Sequence, residues 1–342
     1  MTRAHGLYLL CWITAGLVSL ILTPLMRGIA TRFNIMDRPD EKLKTHGGAV
    51  PYLGGVAIIA GFIISLILVR FFTHFHTGTL KSIRGIFLGT ILVSLIGFTD
   101  DARRGGLHFR TKFMLQALAA IVLIAFDVRI KFAHPVWLAD LLTLVWVIGI
   151  TNALNLTDVM DGLAGGIATI ASLAFLFISL PTEEIYVNFA SAALAGACMG
   201  FLPYNLSKKR RIFMGDTGSL TLGYILAALS MGTSYTKINN IGLFSPLLIL
   251  ALPIYDTILV SLLRLHKGQS PFIGSKDHLP LRLKAMGLSQ KQVLTVCLAF
   301  CVAASWGAYL LTRLSPIGCI IVIAVALFIF GVLSWKISKV EV

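Results

Sequence analysis

Five aspartates stand where this chain could do chemistry. Asp100 and Asp101 are adjacent, and Asp158 and Asp161 lie in Asn152-Ala-Leu-Asn155-Leu-Thr-Asp158-Val-Met-Asp161-Gly162. Asp216 lies in Phe213-Met-Gly-Asp216-Thr-Gly-Ser219. With only 15 Asp and Glu in 342 residues, three short segments hold a third of all the acids. Each segment borders an apolar run. A carboxylate near hydrocarbon costs on the order of 3 kcal/mol unless it is compensated, and several on one face repel one another. A hard divalent cation relieves both costs. Mg²⁺ is typically held by one or two carboxylates, with substrate phosphates completing its shell. A lone aspartate at a helix start is equally well explained as a cap, but five at one face point to a ligand.

The spacing agrees with a site. Asp158 and Asp161 are i, i+3 and share a face if that stretch is helical, with Asn155 one turn earlier. Gly162, Gly165 and Gly166 allow close backbone approach. Cations follow the same geography. Lys112 begins an apolar run just after the Asp pair, with Gln116 one turn on. Lys44 and His46 precede Gly54-Gly55, and His278 and Arg282 lie i, i+4. Such residues suit phosphate. Lys208-Lys-Arg-Arg211 reads first as a set of topology charges.

These residues need a membrane scaffold. The chain is 57% hydrophobic and 13% charged, against about 25% charged in soluble domains. No stretch is polar enough to be a soluble domain, so residues 1–342 read as a single all-α integral membrane domain. About eleven apolar runs are long enough to span, with ten as the alternative count: 7–26, 54–71, 83–98, 113–127, 136–152, 162–180, 186–202, 217–232, 243–263, 292–311 and 316–335. The loops on the side of the five aspartates, with the C-terminal tail, carry 21 of the 29 Lys and Arg. By the positive-inside rule that side is cytoplasmic, the N-terminus is outside and the C-terminus is cytoplasmic. The net charge of +14 is thereby assigned to the anionic leaflet and an anionic substrate, and no nucleic-acid partner is expected. Cys11, Cys198, Cys297, Cys301 and Cys319 fall in apolar runs and read as small apolar side chains. No cleavable signal peptide is evident.

In these residues the chain resembles the polyprenyl-phosphate N-acetylhexosamine-1-phosphate transferases, whose sister branch is the phospho-MurNAc-pentapeptide translocases. The resemblance runs from about Thr23 to Leu288. It includes Asp37-Arg-Pro39, Lys44-Thr-His46, Gly54-Gly55, Asp100-Asp101 with Lys112, Asn152 to Gly162, Phe213 to Ser219, and a C-terminal histidine loop. It implies Mg²⁺ (with Mn²⁺ as an alternative), a UDP-N-acetylhexosamine donor, undecaprenyl phosphate as acceptor and UMP as product. It also implies a bacterial cytoplasmic (inner) membrane location with the site facing the cytoplasm, contact with membrane lipids, and the possibility of a homodimer. By motif position it implies Asp216 and Asp100 as metal ligands. Asp100, Asp101, Asp161, Lys112 and His278 take catalytic roles. Lys44, His46, Asn152, Asn155, Asp158, Asn205, Phe213 and Arg282 bind substrate.

The chain departs from the family pattern at four places. Val159 stands where a glycine is common. Ser207-Lys-Lys-Arg-Arg211 replaces a shorter segment containing proline. The histidine loop is reduced to Asp277-His278-Leu-Pro280-Leu-Arg282. Pro51-Tyr-Leu-Gly54-Gly55 replaces the Pro-Thr-Met-Gly-Gly of the peptidoglycan branch, which favours UDP-GlcNAc as donor. A transporter would instead place its ionisable residues near mid-span. Here only Asp256 sits so, with Pro253 marking a possible helix break.

Overall fold

The computed structural model describes residues 3–37, 48–103, 105–182, 184–270 and 275–340. Lys44 and His46 lie outside the described residues. Among these residues thirteen α-helices follow one another: α1 (Arg3–Arg32), α2 (Gly54–Arg70), α3 (Thr77–Ala102), α4 (Phe109–Ala125), α5 (Val136–Thr157), α6 (Leu163–Ser179), α7 (Ile185–Asn205), α8 (Gly215–Gly232), α9 (Ser245–Ile249), α10 (Ala251–His266), α11 (Leu279–Ala285), α12 (Gln290–Leu311) and α13 (Pro316–Ser338). The only sheet among the described residues is a two-stranded antiparallel ribbon, β1 (Met36–Asp37) on β2 (Val50–Pro51), with Met36 opposite Pro51.

Among the described residues, seven helices are long and apolar enough to cross a membrane, and a bent pair raises that to eight. The pair, Asn240–Ile249 with Ala251–His266, bends by 69°. Pro253 explains the break, because it has no N–H to give the carbonyl of Ile249, four residues back. α13 shows what solvent the fold is built for. It is apolar throughout, yet only Cys319 and Ile337 on it are buried. A helix that is hydrophobic all round is stable where lipid covers it.

α8 is the hub. Thr217 to Ser230 are all buried, and α3, α5, α2 and α6 pack around them. α1 lies against α7 and α2. Small residues permit these approaches: a Cβ on Gly196 of α7 would come within 2.1 Å of the Trp12 carbonyl oxygen on α1. Packing through small residues is how apolar helices associate in lipid, which supplies no hydrophobic drive between them.

Candidate active site

The N-terminal turn of α8 is held by α3. Asp101, at the end of α3, accepts from the backbone N–H of Asp216 (2.8 Å) and of Thr217 (3.0 Å), and from the Thr217 hydroxyl (2.7 Å). This is a helix cap supplied by another helix, with a charge that complements the dipole. The approach is close because Gly97 lies one turn before Asp101. A Cβ there would sit 2.4 Å from the Asp216 carbonyl oxygen. Gly215 enters α8 at φ +70°, a region that disfavours side chains. Both oxygens of Asp101 are therefore engaged in placing Asp216.

Asp100 faces the other way. Its Oδ1 accepts from the Leu107 N–H (2.5 Å). Its Oδ2 is 2.8 Å from Lys112 Nζ, and the same ammonium is 2.7 Å from Asp216 Oδ2. One cation on α4 thus bridges carboxylates from α3 and α8. Asn155 of α5 completes the ring, donating to Asp216 Oδ1 (3.0 Å) and Ser219 Oγ (2.8 Å). Four helices converge on one carboxylate. Lys112, Asp100 and Asp216 all keep some exposure, with 20%, 12% and 27% of their side chains accessible.

Asp158 and Asp161 do not share a helix face. α5 ends at Thr157, and residues 158–162 turn before α6, with Gly162 at φ +80°. The turn is fixed by Asn205, which accepts from the Gly162 N–H (2.6 Å) and donates to the Ile212 carbonyl (3.0 Å). Burial, with Asp216, Asp161 and Asp101 nearby, pushes the Asp158 carboxyl up to about 8. Asp161 forms an ion pair with Arg211, whose guanidinium also lies 4.9 Å from the centre of the Phe213 ring. Arg211 Nε is buried with no hydrogen-bond partner. Asn152 is engaged by Gln116, its Nδ2 donating to Gln116 Oε1 at 2.6 Å.

Two residues near this site are absent from the sequence expectations. Arg211 reads in the sequence as one of the topology charges, and its place two residues before Phe213 is the available signal. Tyr52 precedes α2. Burial and the carboxylates Asp37, Asp101 and Asp216 push its hydroxyl far above the ordinary tyrosine range, and it bonds Asp37. It is a neutral phenol beside the cluster.

The donor set fits magnesium. Asp100 and Asp216 present hard oxygens on either side of a position now held by an ammonium. Among the described residues no three His, Cys, Asp or Glu groups enclose a metal. Two carboxylates suit an ion completed by substrate oxygens and water, rather than a closed zinc cage.

The profile of glycosyl transferase family 4 matches residues 83–234, which hold Asp100, Lys112, Asn155 and Asp216. A Bacillus subtilis protein named probable undecaprenyl-phosphate N-acetylglucosaminyl 1-phosphate transferase is 31% identical, over 83% of this chain and 79% of its own. The chain belongs to glycosyl transferase family 4. A Mycobacterium tuberculosis relative, named decaprenyl-phosphate N-acetylglucosaminephosphotransferase, is 30% identical over 86% of this chain and 80% of its own. A Prochlorococcus marinus phospho-N-acetylmuramoyl-pentapeptide-transferase is 32% identical over 65% of this chain and 67% of its own.

In this family 4 chain the reduced histidine loop is bonded elsewhere. His278 Nδ1 lies 2.7 Å from Asp256 Oδ2, and the Leu279 N–H donates to Asp256 Oδ1 (2.6 Å). Asp256 is fully buried and His278 is 4% exposed. Arg282 donates from Nε to the Asp277 carbonyl, from Nη1 to the carbonyls of Ile337 and Val340, and from Nη2 to the Asp277 carboxylate. Four of its five N–H groups are thereby committed to protein acceptors. Burial alone would raise Asp277, but hydrogen bonds from Lys267, Ser275 and Arg282 outweigh it and hold the carboxyl at about 2. The structure joins His278 to α10 and Arg282 to the end of α13. It brings neither into the bonding of the aspartate cluster, because their polar atoms are used within this second group.

Proposed function

We propose that the chain transfers N-acetylglucosamine-1-phosphate from UDP-N-acetylglucosamine to undecaprenyl phosphate, releasing UMP and starting a cell-envelope polysaccharide. The observation that carries this reading is the junction of Asp100, Lys112, Asn155 and Asp216 at the start of α8. It lies in a chain related over 83% of its length to an enzyme of that name. The acetylglucosamine relatives cover more of the chain than the muramoyl-pentapeptide relative does, which supports the smaller donor.

The reaction joins two anions. An oxygen of the lipid phosphate attacks the phosphorus that bears the sugar. The bond from that phosphorus to the bridging oxygen breaks, and UMP leaves with the electron pair. Charge neutralisation and in-line positioning are the main tasks. Asp100 and Asp216 would hold Mg²⁺, which when bound neutralises the diphosphate and improves the leaving group. Lys112, released from bridging two carboxylates, is placed to meet a phosphate oxygen. Arg211 offers its unpaired Nε to the same end, and a substrate oxygen there would recover the ~1–3 kcal/mol that an unsatisfied buried donor costs. Asn155, Asp158 and Phe213 face the donor. Asn152 and Asn205 hold the segments that carry them. The lipid phosphate is itself a nucleophile, and Asp101 accepts from α8 with both oxygens, which supports direct attack.

The topology we propose has eleven spans. α9 and α10 form one bent span, α11 is not a span, and the short helices α2, α4, α6 and α8 cross within the bundle. The N-terminus is outside, and the site opens to the cytoplasm of a bacterial inner membrane. The positive charge on the loops beside Asp100, Asp216 and His278 supports this orientation.

The test is product identification. Purified protein with undecaprenyl phosphate and Mg²⁺ is given UDP-GlcNAc, UDP-GalNAc or UDP-MurNAc-pentapeptide, and the lipid product is weighed. Undecaprenyl-diphospho-GlcNAc is expected. Product from the pentapeptide donor alone would move the chain to the sister branch. No product from any donor, in folded protein, would refute the proposal.

A further inference from the structure

The run Lys208-Lys-Arg-Arg211 divides between two jobs. Arg211 turns inward to Asp161 and Phe213. Lys208, Lys209 and Arg210 are exposed, and none of the three has an acidic partner among the described residues. They rim a cavity of about 420 Å³ whose inner wall is Leu20 of α1 with Pro203 and Tyr204 of α7. The rim has a defined shape, since the Arg210 N–H donates to Ser207 Oγ at 3.0 Å and closes a turn.

Below the rim the surface is apolar. Ile13, Leu17, Leu20, Ile21 and Leu25 are all substantially exposed on α1. Their spacing of three and four residues places them on one face of the helix. Leu206, at the end of α7, is exposed beside the basic turn. An apolar stripe one helix wide that ends under three unpaired cations has the chemistry of a phospholipid.

We propose that this cavity binds the headgroup of an anionic phospholipid of the surrounding leaflet, with Lys208, Lys209 and Arg210 as its phosphate contacts. Charge complementarity selects the occupant. Each cation near an anionic surface adds attraction, and Arg adds planar, two-point recognition of phosphate. The polyprenyl acceptor is the less suitable occupant, because its phosphate must reach the Asp100–Asp216 cluster on α3 and α8, whereas this cavity is walled by α1 and α7. The inference needs only the membrane setting and stands apart from the transferase reading.

The experiment is native mass spectrometry of the full-length protein in detergent, titrated with phosphatidylglycerol or phosphatidylcholine. The readout is the fraction carrying lipid, for wild type and for K208Q/K209Q/R210Q. The three single variants guard against a misfolded triple. Wild type is expected to retain phosphatidylglycerol at least fivefold better than phosphatidylcholine. The triple variant is expected to lose that preference, and each single variant to lose part of it. Millimolar inorganic phosphate should not displace the lipid. Equal retention of phosphatidylglycerol by wild type and triple variant would overturn the proposal, as would displacement by free phosphate. A matching loss of undecaprenyl phosphate binding in the triple variant would assign the cavity to the acceptor instead. UMP release at saturating acceptor, measured on the same samples, reports on the transferase reading separately.

Discussion

The aspartate cluster at the start of α8 and the Asp256–His278–Arg282 group are made of similar residues. Each joins buried or half-buried carboxylates to cations from different helices. In the first, one lysine is shared between two carboxylates that both retain access, and an arginine donor nearby is unpaired. In the second, Asp256 uses both oxygens, Arg282 uses four donors, and the charges are all but excluded from solvent. Under-committed polar groups are available to a ligand, while saturated ones fasten segments together. The first region keeps polar groups that a ligand can use. The second ties the loop before α11 to α10 and to the end of α13.

The largest effect should come from removing the shared cation. Lys112→Ala leaves Asp100 and Asp216 facing each other unpaired, and UMP release should fall by about 10²–10³, the scale for losing one group that meets developing charge. Lys112→Arg should recover part of it, since the charge remains but the shape differs. A change under threefold for Lys112→Ala would erase the distinction between the regions. Asp101→Asn should be milder. It weakens the cap by about 1 kcal/mol, lowers the melting temperature and displaces Asp216, with turnover down roughly tenfold. Turnover lost with no change in melting would make Asp101 a reacting group rather than a positioning one.

Arg282→Ala should divide the other way. Breaking a buried ion pair typically costs about 3 kcal/mol, so a thermal melt in detergent should show marked destabilisation. KM for the donor among folded molecules should stay within about threefold. A large rise in KM without destabilisation would return Arg282 to the substrate.

The smallest effects are in pH, and their signs oppose. Asp277 is held at about 2, below its ordinary value near 4. Its contribution to stability is complete above pH 4 and is lost as pH falls towards 2, so the Asp277–Arg282 pair adds no pH dependence between 5 and 8. Asp158 is raised to about 8. Ionising it costs the folded protein progressively as pH rises from 4 to 8, so ligand-free protein should melt at lower temperature at pH 8 than at pH 6. That slope should be present in Arg282→Ala and shallower in Asp158→Asn.

Much of the site was legible because the chain is poor in acids. In a hydrophobic sequence Asp100, Asp101, Asp158, Asp161 and Asp216 stand out, and apolar periodicity places them at helix ends. The division of labour between Asp100 and Asp101 was not legible. Neighbours in sequence point about 100° apart on a helix, and which one meets α8 depends on how Gly97 packs. Asp158 and Asp161 fit an i, i+3 helical pair, but α5 ends at Thr157, before either of them, and Gly162 in the left-handed region leads into α6. Asp256 and His278 are 22 residues apart, and nothing in either segment announces their bond. The break ahead of α10 was readable from Pro253, since a missing N–H is a local fact.

The central claim is tested most directly by UMP release from UDP-GlcNAc by the purified protein, with and without undecaprenyl phosphate and Mg²⁺, beside Asp216→Asn. The account predicts release that needs lipid and metal and is reduced at least a hundredfold in Asp216→Asn, with the variant still folded. Release by Asp216→Asn at the wild-type rate, or none by folded wild type, would contradict it.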